Sequence, residues 1–176
     1  DITKESDVNI FLNKNSVNYI LNCAAYTAVD KAEEEPEKAD LLNSHAVKIL
    51  GSVSNERNIN LIHFSTDYVF DGTKNIPYTE EDTPHPVTIY GKSKLKGEEI
   101  LRKMKNWVII RTSWLYSASG NNFVKTVMKI SQEKHKLKVV SDQTGSPTWA
   151  NDLARTTLIL IDRIKDNPNR EGGVLY

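Results

Sequence analysis

Cysteine is nearly absent from this 176-residue chain, which has one, Cys23. A lone cysteine excludes an internal disulfide, and with it the small stapled scaffolds of secreted proteins; a reducing, cytoplasmic setting is expected. Cys23 lies in the apolar run Tyr19-Ile20-Leu21-Asn22-Cys23-Ala24-Ala25 and reads as a small buried hydrophobe rather than a nucleophile. Net charge is lacking too. Lys plus Arg and Asp plus Glu each number 23, for a formal charge of +0, so no broad basic surface is offered to nucleic acid or to an acidic membrane. No apolar run approaches the roughly 20 residues that cross a bilayer, and no secretory leader is read. The four histidines are scattered, without His-x-x-x-His or Cys-x-x-Cys spacing, and no metal site is expected.

What is present is alternation between short apolar runs and longer segments of helical period. Ser6 predicts the cap of a helix over 6–15 with Val8, Phe11 and Leu12 on its apolar face. A strand over 19–25 follows. Pro36 suits the first position of a helix whose apolar set is Ala39, Leu42, Ala46, Ile49, Leu50 and Val53. Glu33, Glu34 and Glu35 fall at or before its first turn, where carboxylates favour the helix dipole. Next come a strand over 60–65, an irregular stretch over 68–89 and a helix over 90–105. A strand over 107–112, a helix over 123–134, a strand over 137–140, a turn at 145–148 and a helix over 151–166 complete the pattern. Repeated strand–helix alternation predicts an α/β fold built on a parallel sheet.

Parallel sheets bind ligands beyond the carboxyl ends of their strands. Three such ends are Ala24-Ala25-Tyr26-Thr27, Ser65-Thr66-Asp67-Tyr68 and Arg111-Thr112-Ser113-Trp114. Any α/β protein puts polar residues where strands meet loops, so this narrows the search without naming a chemistry. Tyr90-Gly91-Lys92-Ser93-Lys94 is sharper. Positions i and i+4 share a helix face, so the phenol of Tyr90 and the ammonium of Lys94 can address one site. A phenol titrating near 10 is a poor acid at neutral pH, and a cation beside it lowers that value. The spacing alone fits equally a surface tyrosine with an unrelated lysine.

Order along the chain adds to this. Thr66, Tyr90 and Lys94 resemble the Ser/Thr–Tyr–Lys trio of the short-chain dehydrogenase/reductases. The stretches from Ala24 to Glu33, Ser65 to Gly72 and Tyr90 to Lys94, with Arg111-Thr112-Ser113-Trp114 and Asp142-Gln143-x-Gly145-Ser146-Pro147-Thr148, resemble the dTDP-4-dehydrorhamnose reductase family within the extended branch. The resemblance implies a Rossmann-like, doubly wound parallel sheet, here incomplete, with its first two strands missing. It implies that residues 1–176 are a partial NAD(P)-binding domain, with about 142–176 belonging to the substrate-binding region. The implied activity is NADPH- or NADH-dependent reduction of dTDP-4-dehydro-β-L-rhamnose to dTDP-L-rhamnose.

Residue by residue, the resemblance makes Tyr90 the proton donor to the C4 oxygen. Lys94 holds the nicotinamide ribose and tunes Tyr90, and Thr66 hydrogen-bonds the carbonyl. Asp67, Tyr68 and Trp114 meet the sugar of the dTDP-sugar substrate. Ala24, Ala25, Tyr26 and Thr27 pass the cofactor, and Asp1 and Ile2 lie beside the adenine. Asn43, mid-helix, is expected to bond a neighbouring loop. The family's Gly-x-x-Gly-x-x-Gly phosphate turn has no counterpart in the sequence, so the isolated polypeptide is expected to bind NADPH weakly. The open edge of the strand over 19–25 is expected to be covered in a homodimer or an edge-paired assembly. Two other readings share the fold: a regulatory subunit of the methionine adenosyltransferase type, and a different sugar-nucleotide-modifying short-chain dehydrogenase.

Overall fold

A computed structural model describes residues 1–133, 136–167 and 172–176. The chain divides into two compact units, Asp1–Arg111 with Glu171–Tyr176, and Thr112–Arg170. The first is a four-stranded sheet in the order β1-β2-β3-β6, formed by β1 (Tyr19–Asn22), β2 (Asn60–Thr66), β3 (Trp107–Thr112) and β6 (Gly173–Leu175). β1 runs parallel to β2 from the Tyr19–Asn60 pair, and β3 runs parallel to β6 from the Val108–Gly173 pair. This is the expected Rossmann-like α/β architecture, with β1 at one edge of the sheet.

The connecting helices of this unit are α1 (Glu5–Lys14), α2 (Val29–Glu34), α3 (Pro36–Asp40), α4 (Ala46–Arg57) and α5 (Ile89–Leu101). Pro36 starts α3 as expected, and a single π turn, Leu41–His45, carries α3 into α4. Such an insertion rotates the side chains after it and is common where a helix serves a site. α4 ends on Asn58 in the left-handed conformation (φ 55°), and Asn106 (φ 55°) turns the chain into β3 in the same way. Asparagine tolerates that region better than any other side-chain-bearing residue. The Asn106 amide donates to Asn58 Oδ1 at 2.7 Å, so the two turns are tied together. Val47, Leu50, Val53, Leu61, Leu101 and Ile109 lie in the core shared by α4, α5, β2 and β3.

The second unit holds β4 (Leu115–Tyr116), α6 (Phe123–Glu133), β5 (Thr148–Trp149) and α7 (Ala150–Asp166), with β4 and β5 paired in parallel. The expected end of α6 at residue 134 lies outside the described residues.

Four expectations are corrected. Residues 137–140 form no strand: Leu137, Val139 and Val140 are exposed, because an apolar run becomes a strand only where a neighbour completes its hydrogen bonds. Phe11 is exposed whereas Val8 and Leu12 are buried, so the buried face of α1 is narrower than expected. Lys4, not Ser6, stands at its N-cap, and it makes no side-chain cap. Cys23 is exposed. The strand ends at Asn22, and a tight Cys23 N–H to Leu21 carbonyl contact of 3.2 Å turns the chain out of the sheet just before the thiol.

Candidate active site

β2 delivers Ser65 and Thr66 to its carboxyl end, and a short 3₁₀ turn, Asp67–Val69, folds back at once. Thr66 caps that turn: its hydroxyl accepts from Tyr68 N–H at 3.2 Å and donates to Asp67 Oδ1 at 3.0 Å. α5 begins at Ile89 with Thr88 as N-cap, its hydroxyl accepting from Gly91 N–H at 3.0 Å. A methyl group at Gly91 would collide with the Tyr68 carbonyl, and one at Gly97 would collide with the Asn43 carbonyl. These two glycines let α5 lie directly on the backbone of the 3₁₀ turn and of the π turn. The result is a packed tyrosine pair, Tyr68 and Tyr90, with ring centroids 5.5 Å apart and planes at 74°, an edge-to-face arrangement.

Burial raises the Tyr90 phenol above its ordinary value, the Thr66 hydroxyl opposes this by hydrogen bonding to it, and Asp67 and Tyr68 add to the rise. The expected lowering by Lys94 is therefore not what the structure shows. The reason is where the lysine goes. Lys94 is 2% exposed, and its Nζ lies 2.6 Å from the Phe64 carbonyl and 3.2 Å from His63 Nε2. Burial lowers it to about 8, against a smaller opposing effect of Glu98 one turn on. Burial also raises Asp67.

The Lys94 shift has a consequence for stability. Its folded-state value of about 8 lies below the ordinary 10.5, so the unfolded chain binds the proton more tightly. The penalty is full below pH 8 and disappears as pH rises towards 10.5. Lys94→Met should remove it. In urea unfolding, the stability advantage of Lys94→Met over wild type should narrow across that window by on the order of 3 kcal/mol. A pH-independent difference would show that Lys94 is not desolvated in the folded protein.

On the other side of the site, Asn43 sits fully buried in the π turn. Its Oδ1 accepts from Tyr26 N–H at 2.9 Å, and its Nδ2 donates to the Tyr26 carbonyl and to Ser93 Oγ, each at 3.0 Å. Ser93 Oγ in turn donates to the Tyr90 carbonyl at 2.8 Å. The loop-binding expected of Asn43 is thus present, and it ties the Ala24–Thr27 strand end to the helix of Tyr90 and Lys94. The Tyr26 phenol donates to Glu35 at 2.7 Å, and Tyr26 and Tyr68 both pack against the small cluster around Tyr90.

The structure therefore gathers Thr66, Asp67, Tyr68 and Tyr90, with Tyr26 alongside, while Lys94, one helical turn on from Tyr90, meets His63 and the Phe64 carbonyl instead. Asp1 and Ile2 are placed differently: Asp1 accepts from Thr3 N–H and Oγ1, and Ile2 packs against the core shared with α1 and α4. Trp114 belongs to the second unit, with φ 45° and its ring against Gly145. There Ser113 Oγ donates to the Ser146 carbonyl at 2.8 Å, so two separately recognised motifs meet.

Sequence reasoning missed the buried His63, took Arg111 only as part of a strand-end motif, and missed Glu98. The signal was available for the first two, since each is one polar residue inside an apolar strand run, Leu61-Ile62-His63-Phe64 and Val108-Ile109-Ile110-Arg111.

The fold defines the class as Rossmann-like α/β proteins. The RmlD substrate binding domain family matches residues 1–176, and the chain belongs to that family. It is 46% identical over 154 residues to the dTDP-4-dehydrorhamnose reductase of Salmonella typhimurium, covering 87% of this chain and 52% of that protein. A Clostridium acetobutylicum dTDP-4-dehydrorhamnose reductase structure superposes with a TM-score of 0.89 at 44% identity, covering 93% of this chain and 58% of that one. The Bacillus anthracis dTDP-4-dehydrorhamnose reductase, solved in complex with NADP, gives 0.88 at 40% identity over 92% of this chain and 58% of that one. The chain spans about half the length of the curated relatives it matches.

Proposed function

We propose that the full-length protein carrying this chain reduces dTDP-4-dehydro-β-L-rhamnose to dTDP-L-rhamnose with NADPH or NADH, as a cytoplasmic enzyme. The observation that carries this reading is the packing of Tyr90 against the Thr66–Tyr68 turn at the carboxyl end of β2, with Lys94 one helical turn further along α5, in a chain of this family. Residues 24–27, 66–68, 90 and 94 are assigned the catalytic and cofactor-facing roles, and Trp114 is assigned a contact with the sugar. Asp1 and Ile2 are assigned to the adenine side.

The residues present fit a dinucleotide. Ser65 Oγ is buried at the same strand end with no protein partner, and such a group calls for a ligand or water. Ala24 and Ala25 present only methyl groups, so a ligand can approach the backbone. When bound, the reduced nicotinamide supplies the hydride. The chain's own residues then act on the carbonyl oxygen. Burial raises the Tyr90 phenol above its ordinary value, and its O–H is available to the oxygen as negative charge develops there. The Thr66 hydroxyl, now bonded to Asp67, can turn to the same oxygen and stabilise that charge. Lys94 holds the ribose hydroxyls, and Asp67 and Tyr68 face the sugar.

The test is oxidation of NADPH by the full-length protein with the dTDP-4-dehydro sugar as acceptor. Sugar-dependent turnover is expected; binding of the sugar nucleotide without turnover would sink the reading in favour of a regulatory role.

Trp114 offers a broad apolar face with one donor, suited to a deoxysugar ring. Trp114→Ala should raise KM for the sugar nucleotide by about tenfold, in the range of a lost aromatic contact of 1–2 kcal/mol, and leave KM for NADPH nearly unchanged. Equal effects on both would make Trp114 a packing residue.

A further inference from the structure

His63 lies in the middle of β2 and is 0% exposed. Nothing in its own strand requires a polar side chain there. Its Nδ1 lies 3.0 Å from Asn22 Nδ2, and its Nε2 lies 3.2 Å from Lys94 Nζ. The Asn22 Oδ1 already accepts from Ala24 N–H at 3.2 Å, which sets the amide so that its NH₂ faces the imidazole. His63 Nδ1 must therefore accept, and in a neutral imidazole the other nitrogen then carries the hydrogen. The ring is neutral, since burial, and then the Lys94 charge, hold its basicity well below the ordinary value. His63 Nε2–H thus points at Lys94 Nζ, while Nζ itself donates to the Phe64 carbonyl at 2.6 Å. In its amine form, which predominates above about pH 8, Nζ has one lone pair and can satisfy both contacts.

We propose that His63 is a positioning residue for Lys94: its tautomer, set by Asn22, fixes the place and the hydrogen-bonding role of the amine one helical turn on from Tyr90. The chain Ala24–Asn22–His63–Lys94 joins the strand end assigned to the cofactor to the lysine assigned to the ribose, through the buried side chains of Asn22 and His63. Converting Lys94 to the ammonium removes its lone pair, so His63 must then accept at Nε2 and carry its hydrogen on Nδ1. The Asn22 amide must flip to match, and the flip releases Ala24 N–H. The proton state of the lysine and the backbone of the Ala24 turn are in this way coupled. The groups facing Lys94 are His63 and the Phe64 carbonyl from β2, and Glu98 from its own helix.

The inference rests on Tyr90 and Lys94 being the acid pair, and the test separates the two. In the full-length protein, His63→Gln places an amide near the Nε2 position and keeps a partner for Lys94. His63→Asn places one near Nδ1 and leaves Lys94 without it. With the dehydro sugar and NADPH, His63→Asn should lose about tenfold in kcat, within the usual range of coupling between contacting groups, and His63→Gln should stay within about twofold of wild type. In a Lys94→Met background the difference between the two should vanish. Should neither β2 replacement fold, Asn22→Ala frees the tautomer while leaving His63 in place, and the same loss is expected only when Lys94 is present. Equal kcat for the Asn and Gln variants, or the same loss with and without Lys94, would overturn the positioning role while the acid-pair reading stands. A Lys94→Met enzyme with wild-type kcat would overturn both.

Discussion

Tyr90→Phe should lower kcat of the full-length protein by about two to four orders of magnitude, the usual worth of a positioned general acid. The ring makes an edge-to-face contact with Tyr68 and packs with Ala32 and Ala39, and phenylalanine keeps all of that. Only the hydroxyl is lost, so the melting temperature and the affinity for NADPH should change little. The pH profile should carry the same signature. Because burial raises the phenol, the acid form persists through neutral pH, and turnover should fall only on the alkaline side, where the proton is lost. Wild-type turnover by the Phe variant in an NADPH-oxidation assay would remove Tyr90 from the reaction.

The largest effect on stability is expected at Glu98. Its side chain and that of Arg111 are both 0% exposed, and they make a two-pronged contact: Arg111 Nε to Oε1 at 3.0 Å and Nη2 to Oε2 at 2.6 Å. The guanidinium also lies 5.0 Å from the Phe70 ring centroid, while its Nη1 is buried with no partner. Glu98→Ala leaves that cation buried without its carboxylate, a change that typically costs about 3–5 kcal/mol. Urea unfolding should report it as a lower midpoint with little change in slope. The double replacement Glu98→Met with Arg111→Met should recover most of the loss, since a buried pair exchanged for apolar side chains is often neutral. A loss below about 1 kcal/mol for the single change would be that of a solvated surface pair. The same pair joins α5 to β3, and Glu98 stands one turn after Lys94, so its loss should also reduce turnover by disturbing the lysine.

Local signals carried much of this molecule. Trp107–Thr112 is legible as a strand because five of its six residues are β-branched or aromatic. The i, i+4 spacing of Tyr90 and Lys94 puts them on one face because a helix repeats every 3.6 residues, and the proline start of α3 follows from that residue's fixed φ. These depend on a few neighbours in the chain, so they can be read without a fold.

What the sequence could not decide depends on partners distant along the chain. Gly173–Leu175 is a strand because β3 is beside it, whereas the apolar run over 137–140 has no such neighbour and forms none. Cys23 is exposed because β1 ends one residue earlier. Lys94 lies against His63 and the Phe64 carbonyl rather than reaching the Tyr90 phenol as a solvated cation. That placement follows from the way Gly91 and Gly97 let α5 settle onto two backbones. A side chain's chemistry is legible in its identity, but its desolvation and its hydrogen-bond partner are properties of the packed neighbours, and only tertiary structure brings those together.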